Sequence, residues 1–120
     1  MTNQSRNSIA FIVGVLISRK NSTSIYDYSI GVYFNFTINL NLGNIDAYDY
    51  TNHCHISGSG VNGNYSLFHY GNSSHITLNV VDNKFNGYDY STNKHFSGSV
   101  NGNSISFYDY GTSKYYNYSI

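Results

Sequence analysis

Four aspartates and one histidine recur at one place in the chain. They are Asp27, Asp49, His69, Asp89 and Asp109, each framed by aromatic residues in a Tyr-Asp-Tyr triplet or its Phe68-His69-Tyr70 relative. Closed into a ring, such groups could line one rim and hold a cation. The competing expectation is that each carboxylate accepts hydrogen bonds from the backbone N–H groups of the turn that follows it. His55, His75 and His95 fall at equal intervals, and His53 lies two residues before His55, a spacing that places both on one strand face. Histidines so arranged suit a transition metal. Tyr33 and Tyr115 take the same position in the outer copies, so simple repetition explains these histidines, and no metal site or cofactor is assigned. Cys54 falls on the opposite face of that strand and reads as a small core residue. The candidate ligand-binding residues are Tyr28, Tyr50, Tyr70, Tyr90 and Tyr110, the last members of the five triplets. A tyrosine offers a flat apolar ring and a hydroxyl, suited to stacking on a sugar or to a protein interface. Cross-strand aromatic pairing that stabilises short strands is the competing expectation.

Catalysis is not expected. The chain contains no Glu, no Gly-rich phosphate loop and no Ser-His-Asp arrangement that stands apart from the repetition. An active site needs unlike groups in unlike environments, and near-equal copies supply the reverse.

The elements that must position these residues follow from their spacing. The triplets start at Tyr26, Tyr48, Phe68, Tyr88 and Tyr108, a period of about 20 residues that marks a repeat architecture. Each unit reads as two short strands. In the last, Ser104–Tyr110 and Lys114–Ile120 flank a turn at Gly111–Ser113. Between units, Asn62-Gly63 and Asn101-Gly102 are the residues of type I′ hairpin turns. The first strand of a unit is ambiguous, because Asp109 shares its face with Ile105 and Phe107 while Tyr108 and Tyr110 take the other. Gly58 and Gly98 stand where other units carry Phe36, Leu78 and Tyr118. Such bulky–small alternation suits neighbouring strands filling a narrow interior. The fold expected is all-β: five hairpin repeats forming a shallow antiparallel barrel, with a β-solenoid of stacked coils as the alternative.

Composition bounds the rest. The 120 residues make one small domain, and the shortage of Ala, Gln and Glu argues against several helices. Six basic residues balance six aspartates, so no basic stripe exists for nucleic acid. The lone cysteine excludes an internal disulfide and leaves the compartment open, with the cytoplasm favoured over export. Residues 1–25 hold the one continuous apolar run, Ser8–Ile17, which is too short for a transmembrane span. It reads as a buried plug or strand of the domain, or as a targeting sequence. Residues 26–120 form the repeat domain.

At its Tyr-Asp-Tyr units and at "SGSVNGNSISFYDY" the chain resembles short, uncharacterised bacterial repeat proteins. Their layout is similar to that of β-flower proteins, in which short hairpins radiate from a shallow pseudo-symmetric barrel. The resemblance covers about Tyr26–Ile120, and through tubby-like barrels it implies a membrane-lipid or apolar ligand. The chain lacks the basic cluster that anionic lipid binding requires. The function expected is a non-catalytic binding or scaffold domain that uses a repeated Tyr/Asn/Ser surface. Its candidate partners are a carbohydrate, an apolar ligand or further copies of itself. The alternative is a self-assembling, fibre-forming repeat protein, since aromatic, low-charge, proline-free strands favour assembly.

Overall fold

The five units fold as five hairpins, and the hairpins join into one closed wall. The computed structural model describes residues 1–120. Helix α1 (Asn3–Ser18) is followed by β1 (Ser24–Asp27), β2 (Val32–Asn41), β3 (Asn44–Asp49), β4 (Cys54–Val61) and β5 (Asn64–His69). Then come β6 (Ser74–Val81), β7 (Lys84–Asp89), β8 (Lys94–Asn101), β9 (Ser104–Asp109) and β10 (Lys114–Ser119). Each strand pairs antiparallel with its neighbours in the chain, and β1 pairs with β10, closing a ten-stranded barrel. The hairpin meander is therefore the architecture. Tyr88 and Tyr108 lie on β7 and β9 with β8 between them, so the stacked coils of a solenoid do not form.

Two kinds of turn alternate. At one end, two-residue loops join β2 to β3, β4 to β5, β6 to β7 and β8 to β9. Leu42-Gly43 and Asn62-Gly63 have positive φ at both positions, the type I′ pattern that matches strand twist. The expected Asn101-Gly102 turn is displaced by one residue. Asn101 ends β8 and pairs with Ser104, leaving Gly102-Asn103 as the loop. The stretch after Ser97-Gly98-Ser99 is one residue shorter than its counterpart after Ser57-Gly58-Ser59. Both strands nevertheless keep eight residues. Ladder length in a closed wall prevails over the local turn signal. In the last two loops only the first residue, Asp82 or Gly102, has positive φ, as in a type II′ turn, where glycine is preferred. Asp82→Gly is expected to raise stability by roughly 0.5–1 kcal/mol. A urea midpoint at or below that of the parent chain would refute the assignment.

Alternation along the strands turns one set of side chains inward. Phe36, Ile45, Ile56, Leu67, Ile76, Phe85, Phe96, Ile105 and Phe107 are all buried there. The outward positions between the ends are Thr37, Ser57, Ser66, Thr77, Ser97 and Ser106 among others. Such a hydroxyl-rich outer band is the opposite of the apolar band that a lipid-facing barrel presents. Neither is any helix long and apolar enough to cross a membrane.

Helix α1 stands inside the wall. Ile9, Ala10, Phe11, Ile12 and Val13 are consecutive and completely buried, which requires neighbours on every side of the helix. Phe11 stacks on Phe36 with ring centroids 4.6 Å apart. An Ile- and Val-rich run has no strong helical propensity. Here the surroundings decide, because a closed barrel has spent its ladder hydrogen bonds on itself. A strand inside it would have unpaired N–H and C=O groups, whereas a helix satisfies its own. Thr2 caps the N-terminus by accepting from the Ser5 N–H, and Arg19 ends the helix in the left-handed conformation at φ 59°.

Candidate functional site

The Tyr-Asp-Tyr strands present two surfaces, and the structure resolves which is which. The acidic member points into the barrel. Asp27, Asp49, His69, Asp89 and Asp109 are buried at the rim where α1 begins. The flanking aromatics point out.

Inside, these side chains hold the four-residue turns that follow them. Asp27 accepts from the backbone N–H of Ser29, Asp49 from those of Thr51 and Asn52, Asp89 from Ser91 and Asp109 from Gly111. His69 does the same through Nδ1, which accepts from the Asn72 N–H at 3.2 Å. His69 can replace Asp because an unprotonated ring nitrogen also accepts a backbone hydrogen. These groups are turn caps, and no cluster of three or more potential metal ligands forms.

The same rim grips the helix. Arg6 is buried, donates from Nη1 to Asp109 Oδ2 at 2.9 Å and lies 3.6 Å over the Tyr116 ring. The Tyr118 hydroxyl donates to Asn7 Oδ1 at 3.0 Å. Burial pushes the Tyr118 phenol well above its usual range, with Asp27 acting in the same direction. The Asn72 amide donates to Ser5 Oγ at 2.7 Å, and the Ser8 hydroxyl donates to the Gln4 carbonyl at 2.8 Å. His69 Nε2 lies 3.4 Å from Ser8 Oγ. Since Nδ1 is an acceptor, the proton sits on Nε2 and points at that oxygen.

Burial lowers the His69 pKa, and nearby Asp49 opposes the shift only in part. The unfolded chain therefore takes up a proton at higher pH than the folded one. Stability from neutral His69 is full above about pH 6.5 and falls as pH drops towards the lower folded value. His69→Asn, which keeps an acceptor for the Asn72 N–H, should flatten the melting temperature between pH 7 and 5 relative to the parent. Parallel profiles would show that His69 does not contribute to the acid sensitivity.

Cys54 is also inward and buried, as expected, and an added Cβ at Gly71 would lie 2.9 Å from its sulfur. Burial, with Asp49 second, pushes its thiol upward, which disfavours the reactive thiolate.

Outside, the tyrosines form a belt. Tyr28, Tyr50, Tyr70, Tyr90 and Tyr110 are all more than half exposed, from 51% to 62%. Each packs edge-on against the preceding aromatic of its own triplet, as Tyr110 does on Tyr108 at 4.7 Å. That first aromatic also meets the residue opposite it in its hairpin. Tyr26 meets Tyr33, Tyr48 meets His55, Tyr88 meets His95 and Tyr108 meets Tyr115. Cross-strand pairing thus occupies the first aromatic in four units, while His75 packs instead on Tyr90 at 5.4 Å; Tyr28, Tyr50, Tyr70 and Tyr110 meet no ring beyond their own triplet. Sequence reasoning singled out the second set and missed the supporting first set. The pairing of positions 33, 55, 75, 95 and 115 opposite the first aromatic was the available signal.

The histidines separate. His53 lies in a turn with φ 53°, not on the strand face of His55, which corrects the shared-face expectation. His55, His75 and His95 point outward, with His55 Nδ1 3.2 Å from Asp46 and His75 Nε2 3.0 Å from Ser66 Oγ. No family model, curated protein or solved structure matches the chain.

Proposed function

We propose that the chain is a non-catalytic binding or scaffold domain whose outer Tyr/Ser/Asn surface holds a ligand or partner. The observation that carries this reading is the exposure of Tyr28, Tyr50, Tyr70, Tyr90 and Tyr110 in all five units. A ring of this size gains about 1.5–3 kcal/mol on full burial, yet the inward place beside each is given to an Asp or His. Five half-exposed aromatic faces at one level of a closed wall make a multivalent contact surface. Closure of the sheet also supports binding over fibre formation, because edge-to-edge assembly proceeds along free strand edges. The interior location of α1 supports a reading in which residues 8–17 stay with the folded domain rather than serving as a removable leader.

The test replaces all five tyrosines by serine, with circular dichroism to verify the fold. Both chains are then assayed against immobilised polysaccharides and neutral lipid vesicles, and for self-association by sedimentation. The parent should bind at least one of these, and the five-serine chain should lose at least tenfold in affinity. Equal binding by both chains would reject the proposal, as would long filaments at micromolar concentration.

A further inference from the structure

We propose that the outer groove across β7, β8 and β9 binds an acidic oligosaccharide. This inference rests on the binding-surface reading and names its ligand class.

The first observation concerns charge. The formal net charge is zero, but the fold sorts the two signs. Four of the six aspartates (Asp27, Asp49, Asp89 and Asp109) are buried, leaving Asp46 and Asp82 outside. Among the six basic residues only Arg6 is buried; Arg19, Lys20, Lys84, Lys94 and Lys114 are exposed. The exposed side chains therefore include five cations against two anions, and the four strands β7–β10 hold Lys84, Lys94 and Lys114, with Asp82 in the turn before β7. A chain that looks neutral presents a cationic exterior to a ligand.

The second observation is the groove. A depression of about 760 Å³ lies over β8 and β9, walled by Tyr108, Tyr110 and Tyr115 and flanked by Lys84. It meets a second depression of about 570 Å³ at Ser97 and Tyr110, which runs on to Lys94, His95 and Asn93. Each falls within the roughly 300–1,000 Å³ span of small-ligand sites.

The floor is shaped by the glycine strand. A Cβ on Gly98 would point inward, 2.5 Å from the Phe85 ring, so Ser97 and Ser99 point outward. Ser99 pairs directly with Ser106, and Ser97 with Tyr108. The equivalent Ser66 on β5 is engaged by His75, and the Tyr116 hydroxyl by Thr112. Ser97, Ser99, Ser106 and Tyr110 line the groove, and their hydroxyls make no bond within the chain.

The chemistry of these groups selects the ligand. The C–H face of a pyranose stacks on an aromatic ring, here Tyr110, which borders both depressions. Sugar hydroxyls exchange hydrogen bonds with serine hydroxyls, which both donate and accept. Carboxylates of a uronic acid chain suit Lys84 at one end and Lys94 at the other. An apolar ligand would leave the serine floor unpaired. A nucleic acid would require a longer run of cations than this groove offers.

Isothermal titration of the full chain with tetragalacturonate tests the proposal, with maltotetraose as the neutral control and a single-stranded oligonucleotide as a competing polyanion. Tetragalacturonate should bind saturably and at least tenfold more tightly than either control. Lys84→Met with Lys94→Met should weaken it about tenfold or more, as loss of charge-assisted bonds does. Tyr110→Ala should do likewise, whereas Lys20→Met, which removes an exposed cation that borders neither depression, should leave the affinity unchanged. Three results overturn the proposal: no saturable binding of tetragalacturonate, equal binding of maltotetraose, or stronger binding of the oligonucleotide. If tetragalacturonate fails while another ligand is lost in the five-serine chain, this inference falls and the binding-surface reading stands. If neither chain binds anything, both fall.

Discussion

A chain lacking residues 1–21 is expected to lose cooperative unfolding altogether. Ile9, Phe11, Ile12, Val13 and Val15 fill the barrel from within. Burial of each large apolar side chain is worth roughly 1.5–3 kcal/mol, which sums to about the entire stability of a small domain, near 5–15 kcal/mol. The wall alone would enclose a space lined by Phe36, Phe85, Phe96 and Phe107 with nothing to fill it. The truncated chain should bind a hydrophobic dye and show no sharp thermal transition. A milder version is Phe11→Ala, which removes the ring stacked on Phe36 and should cost about 3–5 kcal/mol. A truncated chain that melts sharply at the parent temperature would show that the helix is dispensable.

Replacing Gly98 should destabilise the wall from the opposite direction, by overfilling it. It lies between Phe85 and Phe107 in the ladder, and even a methyl group there would sit 2.0 Å from the Ser106 carbonyl oxygen and 2.5 Å from Phe85 Cζ. One of those contacts is backbone, so rotation of a side chain cannot relieve it. Gly98→Ala is expected to cost about 1–3 kcal/mol, and Gly98→Leu more, through overpacking. Gly87, whose Cβ would meet Phe96 Cζ at 2.4 Å, should behave alike. A Gly98→Leu chain with an unchanged melting temperature would mean that this position faces water.

The repeat period and the antiparallel meander were legible in the sequence because both depend on local patterns: alternation, turn residues and spacing. The inward place of Gly98 was legible for the same reason, since Leu78 and Tyr118 occupy it elsewhere. The direction of the Tyr-Asp-Tyr strand was not. Ile105 and Phe107 draw one face inward while Tyr108 and Tyr110 could draw the other, and hydrophobicity alone leaves the two close to balanced. Turn capping decides it: Asp109 must reach the Gly111 N–H, while a tyrosine hydroxyl can face water. The helical state of Ser8–Ile17 was hidden for a different reason. Its β-branched residues suit a strand, and only the closure of a wall elsewhere in the chain removes every partner a strand would need. The sorting of charge depends on both outcomes, so the sum of charges along the chain conceals it.

Closure also sets an order of events. Tyr26 pairs with Ser119 across almost the whole length of the chain, and that seam has only two ladder pairs. Helix α1 precedes every strand, yet its surroundings are complete only when β10 meets β1. Contacts so distant in sequence form slowly, because the loop entropy is lost before they can compensate for it. During synthesis the apolar helix waits without its walls, exposed to other chains at the stage when aggregation competes with folding. The rim that binds Arg6 and Asn7 through β9 and β10 then acts as a late checkpoint: the helix is locked at its polar end only once the final hairpin has arrived.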